Sequence, residues 1–194
     1  MTGDFDLAGE ITGQEKHEAL LKSLQGNLEF VAKDGRIYRY GLLAKVLAFV
    51  NLTEVFRGKV PGFTKEGFAY HSMAAKATIQ DGRLVLKEAL IDAPSVGIVC
   101  HGHIDLINEE YDLIFLVAPL KTVDSVVKKI PLVGRILGGT LVSAPVKIAG
   151  PWTNPRVTAL SASAVGSGLL GIMKNALKLP VKVIESRPSD EAKE

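Results

Sequence analysis

Between Arg83 and Leu120 three consecutive short runs have strand-like spacing and are joined by tight turn signals, and no other feature of the chain narrows its fold as much. Successive side chains of a β-strand point to opposite faces of the sheet, so such a run has one apolar and one polar face. In the middle run Val96, Ile98, Cys100, Ile104 and Leu106 share one parity, while Gly97, His101, His103 and Asp105 hold the other. After a turn at Asn108-Glu109-Glu110, the apolar parity is repeated by Tyr111, Leu113, Phe115 and Val117. Three such runs joined by tight turns predict an antiparallel meander with one apolar face. Function turns on what covers that face: helices of the same chain, or something else.

The flanking sequence extends the pattern. Phe5, Leu7 and Ile11 alternate with Asp6, Ala8 and Glu10 and predict a first strand. Residues 15–24 have helical spacing and stop at Gly26. Leu28, Phe30 and Ala32 predict a second strand, closed by the Asp34-Gly35 turn pair. From Gly41 the period changes: Leu42, Leu43, Val46, Leu47 and Val50 fall on one side of a helix predicted over 41–57. Strand spacing resumes at His71, Met73, Ala75, Ala77 and Ile79, and Asp81-Gly82 is the strongest hairpin signal in the chain. Past the meander, residues 121–130 are amphipathic and end at Pro131. Val142, Ala144, Val146 and Ile148 predict another strand, and Arg156 to Leu160 a short edge strand. The whole reads as an α+β domain, mainly antiparallel β, over residues 1–162: a curved sheet with one apolar face, covered or flanked by amphipathic helices. A C-terminal amphipathic helix and apolar end occupy 163–185, and 186–194 is a polar tail.

Composition bounds the function more than it defines it. At 194 residues the chain is long enough for one domain with a core of its own. A net charge of +2 gives no global field for nucleic acid, and with aromatics at only 6% there are no basic and aromatic residues interleaved to bind it. One cysteine, Cys100, excludes an internal disulfide and reads as a small buried hydrophobe. The first residues, Thr2 to Asp6, are acidic and polar, with no signal peptide, and no run reaches the apolar length of a membrane span. Either a cytosolic protein or a piece of a longer chain is expected from this, and the abrupt start inside the strand-like segment Phe5 to Thr12 favours the second.

Few residues carry chemistry. His101 and His103 share a strand face, but zinc needs three or four ligands and no further His or Cys cluster is present, so they read as solvated strand-face histidines and no metal is expected. Asp105, Glu109, Glu110 and Asp112 surround one turn, where a sheet normally places solvated charge. Gly166-Ser167-Gly168-Leu169-Leu170-Gly171 is a literal G-x-G-x-x-G, with Glu185 about a helix later, which keeps a nucleotide-binding enzyme as a distant alternative. Everything upstream reads antiparallel, however, and only nine residues follow Glu185, too few to complete a parallel sheet. No nucleophile elbow, P-loop or Cys-His arrangement occurs, so no enzyme and no cofactor is expected. The amphipathic helix from Ala164 carries Leu169, Leu170, Met173 and Leu177, with Lys174, Lys178 and Lys182 elsewhere, and fits either a membrane surface or the domain's own core.

One ordered succession of motifs carries a resemblance. Gly82-x-Leu84 leads to Ile91-Asp92-Ala93-Pro94, then to Gly102-x-Ile104-Asp105-Leu106 and Val117-Ala118-Pro119-Leu120-x-Thr122-Val123-Asp124. These are followed by Lys128-Lys129-Ile130-Pro131-Leu132-Val133-Gly134 and by Val146-Lys147-Ile148-x-Gly150-Pro151. The upstream segment Asp34 to Glu54 also fits. The chain resembles the C-terminal domain of the AsmA-like proteins of Gram-negative envelopes, nearest to the YhdP-like branch. That resemblance implies a bridge-like lipid-transfer protein: an inner-membrane helix, then a long β-sheet groove crossing the periplasm, with an apolar lining that carries phospholipid to the outer membrane. This chain would be its outer-membrane-proximal end. The lining residues implied are Val96, Ile98, Ile104, Leu106, Leu113, Phe115 and Val117. Leu43, Leu47, Leu169, Leu170, Met173 and Leu177 would contact a membrane. Expected partners are phospholipid, a membrane surface and a possible envelope protein. The alternative is a structural cap or docking module that holds no lipid.

Overall fold

A computed structural model describes residues 1–14, 20–38, 41–51, 67–94, 96–119, 143–161 and 164–165. Its described elements are β1 (Thr2–Thr12), α1 (Leu20–Ser23), β2 (Gln25–Ile37), α2 (Gly41–Asn51), β3 (Phe68–Gln80), β4 (Arg83–Ala93), β5 (Val96–Asp105), β6 (Glu110–Pro119), β7 (Ala144–Pro151) and β8 (Arg156–Ala159). The strands form one eight-stranded sheet in sequence order, each antiparallel to the next. The ends do not meet, so the sheet is open, with β1 and β8 as its edges. The meander expected between Arg83 and Leu120 is present as β4, β5 and β6, and the pattern continues on both sides of it.

Local chemistry accounts for the turns. Asp81 and Gly82 both have positive φ, +50° and +72°, which lets a two-residue connection join β3 to β4 with the right twist. At the β5–β6 turn the Asp105 carboxylate accepts hydrogen bonds from the backbone N–H groups of Ile107 and Asn108 at 3.0 and 2.9 Å, and from the Asn108 side chain at 3.0 Å. Those bonds hold its carboxyl below the usual range, with the Asn108 backbone contributing most.

One expected turn is not a turn. Asp34-Gly35 does not close β2, which continues to Ile37 and pairs Gly35 with Tyr70 and Ile37 with Phe68. Asp34 takes a left-handed φ of +46°, and the pairing of β1 with β2 shifts register there, so the pair makes a bulge inside the strand. Of the helix expected over 15–24 the structure describes α1, and of the one over 41–57 it describes α2. The helices expected over 121–130 and 163–185 lie outside the described residues. So does the glycine run from Gly166. The strand before that run, β8, is antiparallel to its neighbour, whereas a dinucleotide fold needs a parallel one. Among the described residues no helix is long and apolar enough to cross a membrane.

The main core lies between α2 and one face of the sheet. Val46, Leu47 and Val50 of α2 are buried with Ile98, Leu113, Phe115, Val117, Val146 and Ile148. Helical spacing puts these three on one side of α2, with Leu42 and Leu43 beside them, while Lys45 and Ala48 face out.

Candidate functional site

Strand register decides what each face of the sheet presents, because directly paired residues point to the same side. One row runs Leu7, Phe30, Ala75, Ala89, Cys100, Phe115, Val146, Ala159 across all eight strands. The next runs Gly9, Leu28, Ala77, Leu86, Gly102, Leu113, Ile148, Val157. Two flanking rows start at Phe5 and Ile11 and pass through Ile98 and Ile104 to reach β7 at Ala144 and Gly150. None of these positions holds a charged side chain, and the Tyr111 hydroxyl is the one polar side-chain group among them.

A bulge keeps the face apolar. Plain alternation from Leu84 and Leu86 would bring Glu88, Leu90 and Asp92 onto it. Instead Lys87 and Glu88 together oppose His101, and pairing resumes at Ala89 opposite Cys100. The extra residue moves Ala89 and Ile91 onto the apolar side and sends Glu88 to the other, where its partner is Lys76. Gly102 sits across from this bulge with φ +129°, and a Cβ there would strike the Asp112 carbonyl oxygen. The glycine therefore serves both the backbone conformation and the close approach of β6.

The apolar face is covered at one side of the sheet and open at the other. Val96, Ile98, Leu113, Phe115 and Val117 lie buried in the cluster that includes α2, and Ile104 packs at its margin. Leu106 falls in the β5–β6 turn, where its N–H donates to the Gly82 carbonyl, and is only half-buried. Leu47 is 1% exposed and Leu43 partly buried against the same cluster, so both face the protein's own sheet in this structure. Leu169, Leu170, Met173 and Leu177 lie outside the described residues. On β1, by contrast, Phe5, Leu7 and Ile11 are 63%, 66% and 50% exposed. These three complete the face at its open edge. Their alternation marked them as a strand, but only the register of β1 on β2 puts them in line with Phe115 and Ile104.

The second face differs from its expected polar character at one end. Val99, Leu116 and Ala118 are buried there with Val165, and Leu90 and Ile114 pack against them. Elsewhere it is polar, crossed by the ion pairs Glu29–Lys76 at 3.5 Å and Asp112–Lys147 at 3.0 Å. His101 and His103 lie on this face, partly buried, and the His101 Nε2 has no hydrogen-bond partner among the described residues. Among the described residues no group of three or more side chains is arranged to hold a metal ion. Of the acidic residues around the β5–β6 turn, Asp105 is engaged by Asn108 and Arg83 and Asp112 by Lys147, while Glu109 and Glu110 are exposed.

An open sheet in strand order, apolar across its width on one side, is the arrangement that the motif succession implied. Residues 4–157 match the family model described as YhdP protein. The chain belongs to the YhdP family. The match runs from β1 into β8 and so takes in every strand of the sheet. YhdP proteins form part of the AsmA/TamB/YhdP group, AsmA-like proteins of the Gram-negative envelope and of lipid-transport type. No curated protein and no solved structure matches the chain.

Proposed function

We propose that this YhdP-family chain shields phospholipid acyl chains on the apolar face of its sheet. It does so as the outer-membrane-proximal part of a bridge that carries phospholipid through the periplasm, in a protein anchored to the inner membrane. The observation that carries this reading is the set of rows without a charged side chain, of which the β1 side is open. A lipid tail laid across such rows meets no charge, and no polar side-chain group except the Tyr111 hydroxyl, so movement along them is little opposed by desolvation. Each methylene removed from water contributes about 0.8 kcal/mol, enough to hold a tail without any catalytic group. Large exposed apolar side chains in a continuous patch mark binding surfaces. Phe5, Leu7 and Ile11 form such a patch, exposed in line with the covered half of the face.

The deciding experiment is lipid extraction and mass spectrometry on the purified, folded chain. Co-purifying phospholipid supports the reading. A well-folded chain free of lipid, before and after incubation with phospholipid vesicles, overturns it. That result would favour a cap that docks on a membrane or an envelope partner, a reading supported by the burial of half the face under α2.

A further inference from the structure

We infer that the open half of the apolar face is a blind slot one acyl tail long, entered from the β1 side and closed by α2 as its end wall. The inference rests on the lipid-holding reading above and adds to it a limit on the tail that the face accepts.

The row through Leu7 shows where the slot begins and ends. Leu7 on β1 is exposed, and Phe30, Ala75 and Ala89 on β2, β3 and β4 are each partly exposed. Burial sets in one strand later. Cys100, Phe115 and Val146 of β5, β6 and β7 are all buried, in one cluster with Val46, Leu47 and Val50 of α2. The same row is exposed again at Ala159 on β8. Its residues stay apolar from one edge to the other, so the packing of α2 interrupts the row, and not a change in the sheet. Val46, Leu47 and Val50 are among the largest fully buried side chains described. A tail that slid on past Ala89 would have to take their place in a close-packed core.

The span that remains fits one tail. Between β1 and β4 lie three strand gaps, about 14 Å at about 4.8 Å each. One tail of a bilayer whose hydrocarbon core is roughly 30 Å thick reaches about 15 Å. The slot thus holds a tail of ordinary membrane length and no more. Ala75 and Ala89 keep its floor low between Phe30 and the buried Phe115.

Titration of the purified full chain with single-tailed lysophosphatidylethanolamines of increasing tail length, each below its critical micelle concentration, tests this. Affinity is expected to rise about fourfold per added methylene until the tail is about 15 Å long, and to stay level beyond that. In Ala75→Leu, which raises the floor partway along the slot, the affinity is expected to level off at a shorter tail, with the shortest tails bound as in the wild type. Affinity that keeps rising past the expected length would show the path to run on beyond α2 and would overturn the end wall alone. An unchanged plateau in folded Ala75→Leu would take the tail off this row and overturn the slot. Absence of binding at every tail length would overturn the lipid-holding reading and the slot with it.

Discussion

Replacing Phe5, Leu7 and Ile11 together by threonine separates lipid holding from folding. The three side chains are 63%, 66% and 50% exposed. Full burial of a side chain of this size is worth about 1.5–3 kcal/mol, so covering the exposed part of each gains about 1–2 kcal/mol. The triple substitution would therefore remove about 3 kcal/mol of lipid contact at the lower end, or roughly a hundredfold in affinity. The sheet itself should hardly notice. Threonine favours strands, β1 is an edge, and its side chains are exposed throughout, so the expected loss of stability is within about 1 kcal/mol. Titrating a fluorescent phospholipid into both proteins measures the first quantity, and thermal unfolding checks the second. A triple variant that unfolds normally and binds lipid as tightly as the wild type would refute the assignment of β1 to the lipid path.

Other consequences are as direct. Phe115→Ala removes a buried ring from the core under α2 and should cost about 3–5 kcal/mol in urea unfolding, unlike any change on β1. Deleting Lys87 should heal the β4 bulge with every apolar residue still on its face, whereas deleting Ala89 must turn either Glu88 or Leu90 and Ile91 to the wrong side; soluble yield and circular dichroism of the two deletions should differ sharply. Burial pushes the Cys100 thiol up to about 12, so at neutral pH it should react with a disulfide reagent only when the core under α2 opens, and mild urea should speed that reaction. The folded Asp105 carboxyl is held below its unfolded value, so the support it gives the β5–β6 turn is present above the unfolded pKa and lost as pH falls through the folded one; amide shifts of Ile107 and Asn108 should follow that titration and vanish in Asp105→Asn.

The strands of the meander were legible because Val96, Ile98 and Cys100, and then Tyr111, Leu113, Phe115 and Val117, each keep one parity, and the Asp81-Gly82 turn announced itself by residue type. What was not legible lay in pairing. β4 reads as two half-strands of opposite parity, Leu84 and Leu86 against Ala89 and Ile91, and only its neighbours show that one extra residue reconciles them. Asp34-Gly35 carries the residues of a turn, yet β1 and β3 hold it inside a strand, so tertiary pairing overrides local preference. The candidate face was half found from sequence: β5 and β6 supplied the buried residues, while the open residues of β1 needed register. Leu47, whose spacing fits a core helix or a membrane-surface helix, is placed against the core in this structure by its burial.

The rows also act as a ruler. Neighbouring strands lie about 4.8 Å apart, so eight strands and their seven gaps measure about 34 Å across. That is close to the roughly 30 Å thickness of a bilayer's hydrocarbon core, of which each tail spans about half. A tail lying across the strands would thus cover about three gaps, and the sheet is wide enough for two tails end to end. Length along such a path is counted in strands and not in residues: every added hairpin extends it by about 10 Å, whatever the length of its strands.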